Sequence, residues 1–305
     1  MKIGYFGDGI WAYNAFQKLF DHPEIAFAFV CGRYGSIDHI LKSMAEKHGI
    51  PWLQTENINS SEFIEKLVAF NCELFISMSF DQIFKPAVFN IPTMKTINCH
   101  AGKLPFYRGR NILNWALIND EKEFGITVHY IDEGIDTGDI ICQKTYPITD
   151  KDSYATLLKT AHKECAEVLH SAVKLLAKGD AKPIPQETIH PVGTYFSKRT
   201  TGDEILNWNT KSREIFNFVR AICEPGPMAR CWLGKQEVLI NCADMVPDAP
   251  TYKCIPGAVL FEEEDAIFVK TLDSMIKVTD YRTSGRSFRP GDRLTSNVQS
   301  LEYGK

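Results

Sequence analysis

Apolar and polar positions repeat along this chain with two periods, and the changes of period predict its elements. Residues 2–6 and 25–31 are short runs rich in β-branched and aromatic side chains, as strands are; residues 11–20 between them space their apolar positions as a helix does. The pattern continues with a helix over about 37–48, a short strand near 51–53 and a helix in NSSEFIEKLVAF, where a serine can cap the first turn. CELFISMS and MKTINCH follow as strands, the first apolar enough to be buried on both faces. Strands separated by helices of this size predict parallel βαβ units.

Beyond Gly125, ITVHYI alternates and DIICQKTYPI is its expected partner across the turn EGIDTG. Residues 154–178 predict one long amphipathic helix, with Leu157, Ala161, Val168, Leu169, Val173 and Leu176 in its apolar stripe. The polar, turn-rich stretch IHPVGTYFSKRTTGDE predicts a linker. After it come a helix over 212–222, the turn EPGPM and five short strands: ARCWL, EVLINCADMV, GAVLFE, AIFVKT and MIKVTDY. The acidic run EEED, residues 262–265, is expected at a solvated hairpin turn. The fold class is therefore α/β: a doubly wound, Rossmann-like parallel sheet over residues 1–200, then a small β-barrel or sandwich over 201–305.

Composition narrows the function. A net charge of −4 gives no bulk attraction to nucleic acid or to an anionic membrane. No stretch resembles a secretion signal or a membrane span, so a cytoplasmic enzyme is the expectation. Nine cysteines without a CxxC pair suggest neither a disulfide framework nor a metal cluster.

Three places could carry chemistry. GYFGDGIWA sets Gly4, Gly7 and Gly9 in a strand-to-helix turn, where free backbone N–H groups favour anions, yet it lacks the GxGxxG spacing; packing or a ligand would each account for it. In INCHAGKLPFYRG, Asn98 and His100 share one face of a strand and fall at its carboxyl end, where doubly wound sheets bind ligands. They suit a hydrogen-bond donor and an acid/base, or equally a structural histidine beside a chain-turning asparagine. Asp136, in EGIDTGDI, could hold that imidazole in one tautomer or simply make turn hydrogen bonds.

INCHAGKLPFYRG followed by NWALINDEKEFGITVHYIDEGIDTGDII resembles the signature of the N10-formyltetrahydrofolate-dependent formyltransferases: an Asn-x-His pair, an xLPxYRG loop and an aspartate in a D-x-G turn. The resemblance implies that Asn98, His100 and Asp136 are the catalytic trio, that N10-formyltetrahydrofolate is the formyl donor, and that no metal takes part. It implies a folate cleft walled by SFDQIFK, with backbone groups of Gln82, Ile83 and Phe84 at the pterin and the turn at Asp132 opposite.

Two features bear on the acceptor. The segment after the second strand, Cys31–Gly35, is short, whereas tRNA-acting members carry a long basic insertion there. Residues 201–305 carry 13 Lys and Arg against 15 Asp and Glu. With TTGDEILNW, these features most resemble the enzymes that formylate nucleotide-linked amino sugars for surface glycans such as O-antigen. The expected partners are then a nucleotide sugar and a folate, with no nucleic acid and no membrane, and with a homodimer left open. Gly9, Trp11, Tyr107, Arg108 and Arg110 are the candidate sugar-nucleotide contacts. Methionyl-tRNA formylation is the alternative; a nicotinamide-dependent dehydrogenase or a non-catalytic nucleotide binder built on GYFGDG is a more remote one.

Overall fold

A computed structural model describes residues 1–298 as two compact units, Met1–Ile112 with Phe124–Tyr146 and Lys159–Phe196, and Leu113–Glu123 with Pro147–Leu158 and the residues after Ser197. Leu113–Glu123 and Pro147–Leu158, placed by the sequence pattern in the first domain, thus cluster with the C-terminal residues.

The elements follow the sequence pattern closely. In chain order they are β1 (Lys2–Gly7), α1 (Gly9–Phe20), β2 (Ala26–Cys31), α2 (His39–Lys47), β3 (Trp52–Leu53), α3 (Ser61–Ala69), β4 (Leu74–Met78), α4 (Pro86–Phe89), β5 (Thr96–His100), β6 (Arg108–Gly109), α5 (Ile112–Ile118), β7 (Glu123–Tyr130), β8 (Ile140–Pro147), α6 (Tyr154–Lys178) and β9 (Tyr195–Phe196). Ser60 and Asp38 cap α3 and α2 by accepting from backbone N–H groups of their first turns, as short oxygen-bearing side chains do.

The main sheet of the first unit has the order β3-β2-β1-β4-β5-β7-β8. Its first five strands are parallel, and β7 runs antiparallel to β5. The order reverses between β1 and β4, where the Asp8 amide donates to the Met78 carbonyl at 3.3 Å. One face of this sheet is an aromatic core: Phe6 meets Phe29, Phe75, Phe80 and Phe84 edge-on, at ring-centroid distances of 5.3, 5.4, 5.5 and 5.0 Å. Burying such a side chain contributes about 1.5–3 kcal/mol. Gly4 serves this packing, since a Cβ there would stand 2.3 Å from the Phe29 ring. The glycine run of β1 therefore has a packing reason.

The second unit contains α7 (Ser212–Ile222) and the strands β10 (Ala229–Leu233), β11 (Gln236–Met245), β12 (Val259–Glu263), β13 (Ala266–Lys270), β14 (Met275–Thr283) and β15 (Leu294–Thr295), in the order β12-β13-β14-β11-β10-β15. A bridge between Ala258 and Arg293 stitches the two edges, with the Leu294 amide donating to the Gly257 carbonyl at 2.8 Å, so the sheet curls as an OB-like barrel does. The acidic run EEED spans the β12–β13 hairpin. Asp120 accepts from the Arg213 guanidinium, whose Nη2 also lies 2.7 Å from Asp150. These ion pairs tie the 113–123 and 147–158 segments to α7.

Candidate active site

The antiparallel pairing of β5 with β7 builds the site. Its register sets Asn98 opposite His129 and His100 opposite Thr127. Because side chains alternate along a strand, these four polar groups share one face of the ladder. The Asn98 Nδ2 lies 3.3 Å from the His129 Nε2, while the His129 Nδ1 lies 2.8 Å from the Tyr130 carbonyl. A proton on Nδ1 satisfies that carbonyl; a neutral ring then accepts at Nε2 from Asn98, and a charged one donates there to Asp136.

His100 is 9% exposed, and its two ring nitrogens face oxygen acceptors. Nε2 lies 2.7 Å from the Tyr107 carbonyl and Nδ1 lies 3.7 Å from Asp136 Oδ2. A protonated ring would donate to the Tyr107 carbonyl and turn its other N–H towards the Asp136 carboxylate. The close seat against Tyr107 needs Gly102, where a Cβ would stand 2.4 Å from His100 Nε2 and 2.5 Å from the Tyr107 carbonyl. Thr127 holds the loop from beneath: its buried Oγ1 donates to the Gly102 carbonyl at 2.6 Å and accepts from Gln143 Nε2 at 2.8 Å.

Asp136 joins the two imidazoles. Its Oδ1 stands 3.5 Å from His129 Nε2, and its Oδ2 also accepts from the Gly109 amide at 2.9 Å. Burial raises the cost of its charge, but His100, His129 and the Gly109 N–H together outweigh that cost and hold the carboxyl well below its ordinary range. The structure thus brings Asn98, His100 and Asp136 into one cluster and adds His129 to it. The sequence reading missed His129. Its signal was a histidine in the alternating run ITVHYI, on the same side as Thr127.

The other expected contacts divide. Arg108 is buried and braced: its guanidinium donates to Gln186 Oε1 at 3.0 and 2.7 Å, to the Val192 carbonyl at 2.9 Å and to the Tyr195 hydroxyl at 2.9 Å. It supports the loop that carries Tyr107, so most of its donors are already used within the protein. Tyr107 stacks on Phe196 with centroids 4.7 Å apart. Arg110 is exposed at the end of β6. The Gly9 amide donates to Asp38 Oδ2 at 2.7 Å, and the Trp11 ring meets His162 edge-on at 4.4 Å.

On the expected folate wall, the Gln82 side chain is engaged by the Ile58 amide and the Thr55 carbonyl, and the Ile83 carbonyl accepts from Asn59. Phe84 is buried in the aromatic core, whereas Ile83 is 66% exposed. Asp132 accepts from Gly134 and Thr137 and shapes its own turn. Arg33, just beyond β2, donates to the Ser79 carbonyl at 2.5 Å and lies 3.3 Å from Asp8.

Residues 30–173 match the model of the formyl transferase family, and residues 198–295 match the model of the formyl transferase C-terminal domain. A methionyl-tRNA formyltransferase of Halalkalibacterium halodurans is 36% identical over 81% of this chain and 76% of its own. The chain belongs to the formyltransferase family. It is an enzyme of formyl-group transfer. A methionyl-tRNA formyltransferase of Halothermothrix orenii is 32% identical over the whole of this chain and 99% of its own length. Among solved structures, the sugar 3N-formyl transferase WlaRD, crystallised with dTDP and 5-N-formyl-THF, aligns with a TM-score of 0.68 and 23% identity over 94% of this chain and 99% of its own. That likeness shows the shared fold.

These relatives overturn the expectation of a nucleotide-sugar acceptor, and with it the exclusion of nucleic acid. The expectation rested on a short loop and on the net charge of the last hundred residues. Net charge sums over a whole surface, whereas phosphate recognition depends on where a few cations stand. Among the described residues no helix is long and apolar enough to cross a membrane.

Proposed function

We propose that this enzyme transfers the formyl group of N10-formyltetrahydrofolate to the α-amine of methionyl-tRNA. The observation that carries the acceptor is the end-to-end similarity to a methionyl-tRNA formyltransferase, 32% identical over the full length of both chains. The cluster on β5 and β7 supports the chemistry.

The neutral amine attacks the formyl carbon, a C–N bond forms, and the carbonyl oxygen takes up negative charge. The Asn98 amide, half-buried at the end of β5, offers an N–H to that oxyanion, and a protonated His100 stabilises it further. Collapse breaks the bond to N10 of the folate. The charged His100 gives its proton to the departing nitrogen and takes back the one lost by the amine. Asp136 stays ionised through this cycle because its neighbours hold its carboxyl low, so a carboxylate faces the His100 ring throughout and fixes its orientation. His129 keeps the Asn98 amide turned towards the same centre.

Incubating the protein with methionyl-tRNA and the donor should yield formylmethionyl-tRNA and an equal amount of tetrahydrofolate. His100→Ala and Asp136→Asn should each lower kcat by roughly 10²–10⁴-fold. Binding of a reduced folate without formylation of methionyl-tRNA would sink the acceptor.

A further inference from the structure

We propose that Gln186 is a positioning residue for formyl transfer, holding Asp136 and Tyr107 in the places that orient His100. Gln186 is 3% exposed and lies far in sequence from the residues it joins. Its Nε2 donates to the Asp136 carbonyl at 2.9 Å and to the Gly138 carbonyl at 2.7 Å. Its Oε1 accepts twice from Arg108, at 3.0 and 2.7 Å. A glutamine side chain has two donor hydrogens and two acceptor lone pairs, and all four are used here.

These bonds close a ring around the reacting histidine. Arg108 follows Tyr107, whose carbonyl faces His100 Nε2, and precedes Gly109, whose amide donates to Asp136 Oδ2. Asp136 itself is held at φ 54°, a left-handed conformation that costs an ordinary residue energy and persists only where its surroundings impose it. Gln186 grips that strained peptide on one side and the Arg108 loop on the other. The two oxygens that face the His100 ring nitrogens, on Tyr107 and Asp136, are thereby tied to one side chain. A loose hold at this distance is enough to matter, since a displacement of about 1 Å can cost a hundredfold in rate.

The test is Gln186→Glu, which keeps an acceptor for Arg108 but removes both donors to the Asp136 and Gly138 carbonyls. The formyl transfer readout rests on the methionyl-tRNA reading, so a second readout uses the protein without donor or acceptor: the ¹⁵N signals of the His100 ring. We expect kcat to fall roughly ten- to a hundredfold with each KM changing less than about threefold, and the His100 ring signals to shift. In an Asp136→Asn background the same substitution should change kcat less than about threefold, because residues that act as a unit are not additive. Equal losses in both backgrounds, a loss confined to KM, or unchanged His100 signals would overturn the proposal, as would failure of both Gln186→Glu and Gln186→Met to fold. A wild type that does not formylate methionyl-tRNA, alongside shifted His100 signals in the variant, would overturn the acceptor and support the role of Gln186.

Discussion

His129 faces Asn98 across the β5–β7 ladder, its Nε2 3.3 Å from the Asn98 amide nitrogen, although 31 residues separate them. The pair makes the orientation of the asparagine depend on the tautomer of a buried histidine. With Nδ1–H committed to the Tyr130 carbonyl, a neutral ring accepts at Nε2 from the Asn98 NH₂, whereas a charged ring donates there to Asp136.

His129→Leu removes that acceptor and leaves Asn98 free to flip its oxygen into the site. Formylation kcat should fall about tenfold, with a smaller effect on KM, and His129→Gln should recover part of it by offering an amide oxygen. Steady-state kinetics of both variants check this; a wild-type kcat in His129→Leu would detach His129 from the chemistry.

Gly102→Ala places a methyl group 2.4 Å from His100 Nε2, against a ring that is 9% exposed. The ring must then leave the Tyr107 carbonyl. Activity should drop more than about tenfold while circular dichroism stays native, and a fully active Gly102→Ala protein would mean that the His100 seat is softer than its packing indicates.

Acid should weaken the second unit through Asp120. Its hydrogen bond from Arg213 is the largest influence and, despite some burial, lowers the carboxyl to about 2. A carboxyl whose pKa is depressed on folding adds stability above its unfolded value, near 4, and loses it as the pH falls towards 2. Arg213→Ala should therefore lower the urea midpoint at pH 7, and the midpoints of variant and wild type should converge near pH 2. The effect is modest because Asp120 is 36% exposed. Parallel pH curves would show that Arg213 acts by packing alone.

Much of this protein is legible in its sequence because local rules suffice. The strand and helix periods locate β5, α6 and α7, Ser60 marks the start of α3, and the i, i+2 relation sets Asn98 and His100 on one face. The family is legible too, from a dense run of residues around His100. His129 was hidden because its relation to Asn98 exists only through the register of two strands, and Gln186 because a glutamine in the polar stretch after α6 looks like any solvated side chain until burial removes its water. Arg108 shows the converse: an arginine in a glycine-rich loop suggests a phosphate contact, but folding surrounds it with Gln186, Val192 and Tyr195. Periodicity and turn chemistry act between neighbours in the chain and so can be read along it; which donor meets which acceptor across 50 or 80 residues is decided only when packing excludes water and every buried polar group must find a partner.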